Sequence, residues 1–528
     1  MKSRRTFIKS LGIATLGVSL SGNLIKCNRN KIRQRPNILF IMSDDHAEKA
    51  ISCYDDSLIN TPNIDRIAGE GIRFNNSFVT NSICAPSRAV MLTGKYSHLN
   101  GLRDNRDPFD GSQQTFPKIL QENGYETAIF GKWHLKTEPT GFDQWEVLIG
   151  QGEYYNPRFK TLSGEIKETG YTTDVITDKA INWLETRKSD KPFCMLVHHK
   201  APHRNWMPPL EYLEKFKNKE FPIPKTLFDD YQTRRETAGH ADMRIKDMWL
   251  TFDLKLNPKN YDKQTGTGGL KKVTEPRINY TKNLSPEQLK IWNNHYNKIS
   301  EEFEKAKLDG KNLLEWKYQR YMQDYLACIL SVDDNIGRLL DCLDEKGLDE
   351  NTIVIYTSDQ GFYLGEHGWY DKRFMYEESL SMPLVMRYPK EIKAGQVSDD
   401  IVLNLDFAPT FLNYANVQIP SDMQGESLRP VARGKTPSNW RKAMYYHYYE
   451  YPHGWHYVRK HYGIRTHRYK LIHFYGEKDI WEFYDLQEDP MEIVNNYENK
   501  KYASIIAELK SELTKLQQKY KDTDKSTF

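Results

Sequence analysis

The sequence predicts an α/β protein: a large mixed, mostly parallel sheet flanked by helices, then a smaller C-terminal antiparallel sheet with one covering helix. Three observations carry this. Four short apolar runs, at 37–43 (NILFIMS), 126–130 (ETAIF), 193–197 (FCMLV) and 352–357 (TIVIYT), are continuous rather than alternating. That is the pattern of parallel strands covered on both faces. Helical patterns lie between them, so strand and helix alternate. Near Pro430 the texture changes to closely spaced short runs joined by turns.

Taken in order, the chain opens on Lys2, Arg4, Arg5 and Lys9, followed by an apolar run, Leu11 to Leu20, too short to span a bilayer. The stretch Ser3 to Lys9 resembles a bacterial twin-arginine export signal, so residues 1–27 are expected to direct export to the periplasm. Ile25 and Lys26 stand before Cys27 where lipidation wants small residues, so no lipid anchor is expected. A large α/β domain is expected over 35–435. Thr61-Pro62 reads as the N-cap and first turn of a helix. Between about 206 and 315 the pattern dissolves into charged, Tyr- and Lys-rich sequence, read as a largely helical, solvated insertion. A helix is expected from Tyr318 to Lys346, with Ile329, Val332, Ile336, Leu339 and Leu343 on one stripe. Asp333-Asp334-Asn335 falls inside it and is read as structural. Residues 436–528 should form a small α+β subdomain, with strands at 443–449, 457–464, 468–475 and 482–486 and a helix over 502–520.

Composition narrows the function classes. The formal charge of +4 over 528 residues gives no support to nucleic-acid or membrane-surface binding. Mean hydropathy of −0.74 excludes a multi-span membrane protein. Six cysteines in so long a chain exclude a disulfide-built scaffold.

Each of the four apolar runs ends in chemistry: Asp44-Asp45-His46, Gly131-Lys132-Trp133-His134, His198-His199-Lys200 through His203, and Ser358-Asp359-Gln360-Gly361. Ligands bind at the carboxyl ends of such strands. Cys84-Ala85-Pro86-Ser87-Arg88 puts a cysteine at a helix start, where backbone N–H groups favour an anion. This C-x-P-S-R, followed by A-x-x-L-T-G at 89–94, resembles the signature of the sulfatases. The resemblance runs from Pro36 to about Asn496. It also takes in the paired aspartates, Gly131 to Leu135, Pro202-His203, Ser358 to Gly361, and Lys372 four residues before Tyr376.

The resemblance implies an alkaline phosphatase-like fold and a sulfuric ester hydrolase. A maturation enzyme would convert Cys84 to formylglycine, whose hydrate attacks sulfur to give a sulfated intermediate. Asp44, Asp45, Asp359 and Gln360, with modified Cys84, match the metal ligands. An all-oxygen set favours Ca²⁺, although Gln360 stands where relatives carry Asn or His. Arg88 matches the residue that holds formylglycine, and Lys132 and Lys372 match the lysines on sulfate oxygens. His134 matches the base, and His203 the sulfate-binding histidine that protonates the leaving oxygen. His198 and His199 are read as packing residues or as hydrogen-bond supports for neighbours in the site.

The substrate implied is a sulfated glycan. Asp371 and Arg373 flank Lys372 and could grip vicinal sugar hydroxyls; a surface salt bridge is the alternative. Aromatics and histidines at 445–456, His456 among them, suit a sugar ring or else a sheet core. The run 359–373 looks most like bacterial N-acetylglucosamine-6-sulfatases, implying exo-acting removal of a 6-O-sulfate from glucosamine units of host heparan, keratan or mucin-type glycans. Action at another glycan position, phosphoester or phosphonate hydrolysis on the same superfold, and an inactive glycan binder are the competing readings.

Overall fold

The computed structural model describes residues 35–257 and 279–522, with the backbone of two short strands at 265–267 and 272–274. The expected export signal and Cys27 lie outside the described residues. Strands β1 (Asn37–Ser43), β2 (Glu126–Gly131), β3 (Phe193–His198) and β4 (Thr352–Ser358) stand in the middle of a ten-stranded sheet, in the order β4–β1–β3–β2. All three of their pairings are parallel. Outside them, Gln144–Leu148 continues the parallel run beside β2, and Leu384–Arg387 pairs antiparallel with β4. The sheet is therefore mixed and mostly parallel.

The continuous apolar runs follow from burial on both faces. Ile38, Phe40 and Met42 belong to one apolar cluster, while the intervening Leu39 and Ile41 belong to another on the opposite face. Truncating a residue such as Phe40, which is 2% exposed, should cost about 3–5 kcal/mol. Register then fixes the working edge. Ser43 lies opposite Ser358, Met42 opposite His198, and His198 opposite Gly131. The residues that follow these pairs, Asp44, Asp359, His199 and Lys132, must leave the sheet together.

Helices cover both faces. Helix α1 (Pro62–Gly69) begins at the expected place, but Thr61 makes no side-chain cap bond. The cap comes from Asp333, whose carboxylate accepts the N–H groups of Asn63 and Ile64 at 2.9–3.2 Å. Helix α2 (Cys84–Thr93) starts on the motif cysteine and ends at Gly94, whose φ of 64° is the left-handed conformation glycine favours at a helix end. Helix α3 (Gly310–Glu345) carries the expected stripe and starts about two turns earlier than the apolar pattern suggests, because its first turns are exposed and charged.

The segment 206–315 differs from its reading. Among the described residues it holds one long helix, Pro286–Ala306, opened by a Ser285 capping box. Before that come 3₁₀ turns at Leu210–Tyr212, Ala238–His240 and Ile245–Asp247. Pro208, Pro209, Pro222 and Pro224 cannot sit inside a helix. Nor is the segment simply solvated, since Trp206, Met243, Ile245, Trp249 and Leu254 are buried. It is irregular chain laid down as a lid of apolar side chains.

At the C-terminal end, Ala443–Tyr448, His461–Thr466, Tyr469–Phe474 and Ile480–Asp485 form a four-stranded antiparallel meander. Helix α4 (Ala503–Tyr520) packs on it through Ile506, Leu509, Leu513 and Leu516. This sheet shares its apolar cluster with α2 and with one face of the large sheet, so it can deliver side chains to the same edge.

Candidate active site

At the carboxyl edge, Asp44, Asp45 and Asp359 are buried, and their oxygens lie within 4.8 Å of one another. The backbone makes this convergence: Asp45 N–H donates to the Asp359 carboxylate at 3.2 Å, and Asp359 N–H to the Ser43 carbonyl at 3.2 Å. Asp45 takes a φ of 68°, which turns its side chain back towards its neighbours. Three cations surround the acids. Arg88, one turn into α2, donates from Nε and Nη2 to Asp359 at 3.0 and 2.9 Å, and from Nη1 to the Lys132 carbonyl at 2.8 Å. Lys132 pairs with Asp44. Lys372 reaches both oxygens of Asp45 at 2.6 and 2.8 Å.

The acids remain electrostatically strained despite these partners. Burial pushes Asp45 up to about 6 against the pull of Lys372. Burial, with Asp44 beside it, pushes Asp359 up to about 7. Asp44 moves the other way: burial opposes ionisation, but Lys132, His203 and Arg88 hold it below the usual carboxylate range. Asp44 Oδ1 and Gln360 Oε1 are buried without a hydrogen-bond partner, and the Gln360 amide donates to Asp45. Hard oxygen donors, two of them orphaned, in a cluster that resists full ionisation are what a divalent cation would satisfy.

Cys84 and His203 approach Asp44 within the same 4.8 Å limit. Burial above all, then Asp44, pushes the Cys84 thiol well up. An unmodified thiol here is a poor nucleophile, because the thiolate is the reactive form. His134 has a φ of 58°, and its Nδ1 is buried with no partner. Burial and then Lys132 hold its pKa well below the ordinary histidine value, so the ring is neutral and able to accept a proton. His203 sets its Nδ1 on the Arg204 carbonyl at 2.7 Å, which leaves Nε2 facing Asp45 at 3.7 Å. His198 and His199 are both buried, and His198 Nδ1 contacts the Lys132 carbonyl at 3.2 Å.

On the far side of Lys372 lies a second group. Asp371 accepts from the Lys372 N–H at 2.8 Å and from Arg373 Nε at 3.0 Å. His456 Nε2 faces Asp371 at 3.5 Å. All four side chains are buried, so the surface salt-bridge reading of Asp371 and Arg373 does not hold. Neighbours on an extended segment would point away from Lys372; φ values of 79° at Asp371 and 97° at Arg373 coil the segment instead. Tyr445, Tyr446 and Tyr448 are buried in the C-terminal sheet and offer no open ring for a sugar. Tyr446 donates to the Arg373 carbonyl at 2.7 Å, and Tyr448 contacts Arg373 Nη1 at 3.3 Å.

Sequence reading missed four residues here. Glu450 pairs with Arg373 Nη1 at 2.7 Å. Asp242 meets His456 Nδ1 at 3.3 Å. Asn105 accepts from the Ala85 N–H at 3.2 Å. Lys200, beside the acidic cluster and over the Tyr154 ring, is pulled down to about 8 by burial and then Lys132. Of these only Lys200 carried a signal, standing in the polar run that ends β3.

A mostly parallel sheet whose strand ends gather carboxylates, lysines and a helix-start cysteine defines a hydrolase of anionic esters with a metal-competent site. The chain belongs to the sulfatase family, whose profile matches residues 36–417; that of the N-sulphoglucosamine sulphohydrolase C-terminal region matches residues 365–519. It is a sulfuric ester hydrolase, and membership implies formylglycine and a divalent metal in general. It is 54% identical over 497 residues to an N-acetylglucosamine-6-O-sulfatase of Bacteroides thetaiotaomicron, covering 93% of this chain and 88% of that protein. A solved sulfatase in complex with its substrate D-glucosamine-2-N,6-O-disulfate matches with a TM-score of 0.89 and 53% identity, over 93% of this chain and 99% of that one. A phosphonate monoester hydrolase of Agrobacterium radiobacter shares the fold, with a TM-score of 0.67 at 20% identity over 92% of this chain and 96% of that one.

Proposed function

We propose that this sulfatase removes the 6-O-sulfate from a glucosamine or N-acetylglucosamine unit at the non-reducing end of a host glycan. The carrying observation is the coiled Asp371-Lys372-Arg373 segment. Its middle residue reaches Asp45 in the acidic cluster, while its flanks pair with each other and with His456. A C6 sulfate projects away from its ring, so it can enter the cluster while ring hydroxyls O3 and O4 meet Asp371 and Arg373. If those hydroxyls must be free, cleavage is from the chain end. The 54% identical relative and the disulfated glucosamine complex support the same reading.

Asp44, Asp45, Asp359 and Gln360 would hold the metal, with Ca²⁺ favoured by the all-oxygen donors. The metal would supply charge neutralisation at the sulfate. Formylglycine at position 84 would supply a hydroxyl nucleophile that the raised thiol cannot. Lys132 and Lys372 spread charge away from the sulfate oxygens. His134, neutral and open at Nδ1, would accept a proton from the hydroxyl that formylglycine supplies at position 84. His203 Nε2 faces the leaving sugar oxygen; burial holds its pKa well below the ordinary histidine value, and the charge of a bound sulfate would raise it towards the protonated form that can donate. Export to the periplasm and a formylglycine-generating partner complete the reading.

The test is a panel of sulfated monosaccharides and disaccharides, with mass spectrometry of the Cys84 peptide from enzyme matured in a competent host. Glucosamine 6-sulfates should be cleaved, and Cys84 should appear as the aldehyde. Preference for galactose, uronic-acid or N-sulfate substrates would overturn the assignment of position and leave the sulfatase chemistry standing.

A further inference from the structure

The sugar side and the nucleophile sit on separate parts of the chain, and one buried carboxylate links them, directly to the first and through Asn105 to the second. Glu450, in the loop after the first C-terminal strand, is 3% exposed. Its Oε1 accepts from Arg373 Nη1 at 2.7 Å, and its Oε2 accepts from the Asn105 N–H at 3.0 Å. The Asn105 side chain in turn accepts the Ala85 N–H at 3.2 Å. That N–H belongs to the first turn of α2, directly after Cys84, and is one of the donors a helix start leaves without an internal partner. The packing around Glu450 is close: a Cβ on Gly454, which has a φ of 76°, would lie 2.0 Å from Oε1. Glu450 is thus held from both ends and cannot drift.

The geometry points to Glu450 as a positioning residue that sets the distance between the sugar-binding guanidinium of Arg373 and the nucleophile at position 84. This rests on the reading of Asp371 and Arg373 as the sugar clamp and deepens it. A clamp that could slide relative to Cys84 would accept esters at several depths. A clamp tied through Glu450 and Asn105 to the first turn of α2 accepts the reach of a primary C6 ester. Glu450 touches no reacting atom in this account; it acts through Arg373. Its loss leaves a buried guanidinium short of one carboxylate and the Asn105 N–H without its acceptor.

The experiment uses the mature enzyme and whichever sulfated sugar the wild type cleaves fastest, so the substrate assignment is settled first and fails separately. Glu450→Ala should lower kcat/KM on that sugar by about tenfold or more, with a fall in kcat as well as a rise in KM, since orientation is lost along with binding. Glu450→Gln, with one carbonyl oxygen for two donors, should fall between Ala and wild type. Inhibition by inorganic sulfate, which probes the metal side alone, should stay within about twofold of wild type. In an Arg373→Ala background, Glu450→Ala should add less than about twofold, because the two act as one unit. Independent, multiplicative losses in the double variant would overturn the proposal. So would a Glu450→Gln enzyme equal to wild type, or a parallel loss of sulfate inhibition.

Discussion

The two ends of the proposed site are built differently. At the proposed sulfate end, Asp44, Asp359 and Lys132 leave the carboxyl ends of the parallel strands β1, β4 and β2, with β3 between β1 and β2, and Cys84 and Arg88 share the first turns of one helix. Backbone register fixes their mutual distances. At the sugar end, Asp371 and Arg373 sit on a coiled segment, and their partners Glu450, His456 and Asp242 come from loops of two other regions. Side-chain bonds fix those distances. The sulfate end is therefore rigid by construction, and the sugar end is adjustable by substitution. A family that keeps one chemistry and varies its sugars needs that division.

Breaking the sulfate end should be indiscriminate. On the proposed reading Lys372→Ala would remove a cation from the sulfate oxygens, and loss of one such stabilising group costs on the order of 100- to 1,000-fold in kcat. Asp359→Ala should do at least as much damage, because it takes away a proposed metal ligand and strands Arg88. Both losses should appear on sugar substrates and on a small aryl sulfate alike, measured as kcat/KM, and added Ca²⁺ should not rescue Asp359→Ala. A variant that spares the aryl sulfate would refute the division.

Breaking the sugar end should be selective. Asp371→Ala or Arg373→Ala removes a charged hydrogen bond, worth about 1.5–3 kcal/mol, or roughly 10- to 150-fold in kcat/KM. The loss should fall on the glycan substrate, with the aryl sulfate nearly unaffected. Equal losses on both would assign these residues to the fold.

The ends also differ in what pH does. His134 belongs to the sulfate end, and burial followed by Lys132 lowers its pKa well below the ordinary value of 6.5. A base must be unprotonated, and a lowered pKa keeps it so in more acid solution. The rate should thus hold as pH falls through 6.5 and decline only below it, for every substrate. An acid limb centred at 6.5 in kcat would show that His134 is not buried as described, or is not the base.

The division explains what was legible in the sequence. Asp44, Asp45, Lys132, His134, Asp359 and Gln360 follow apolar runs by a few residues, so strand prediction and motif spacing both find them. Asp371 and Arg373 could be named because they flank Lys372, but their orientation depends on left-handed backbone at two non-glycine residues, which no local pattern announces. Glu450 is 77 residues from Arg373 and carries no motif. The lid over 206–257 was misread for a related reason. Its prolines forbid helix, yet its apolar residues have no period, because they pack one at a time against α3 and the sheet rather than along a stripe.

The smallest effect should come from Asp242. Its carboxylate meets His456 Nδ1 at 3.3 Å, and its N–H donates to the His456 carbonyl at 3.2 Å. The His456 ring stands between two carboxylates, with Nδ1 towards Asp242 and Nε2 towards Asp371 at 3.5 Å. Asp242 fixes the ring plane, and without it the ring is free to turn and Nε2 loses its set position beside Asp371. The contact is long and acts on the sugar only through His456, so Asp242→Ala should cost the glycan roughly two- to fivefold in KM, less than the loss expected for a direct charged hydrogen bond. Asp242→Asn keeps a carbonyl acceptor and should lie nearer wild type. Inhibition by inorganic sulfate should not move in either variant. If Asp242→Ala changed kcat on an aryl sulfate as much as KM on the glycan, the His456 loop would be shaping the sulfate end as well, and the two ends would not be separable.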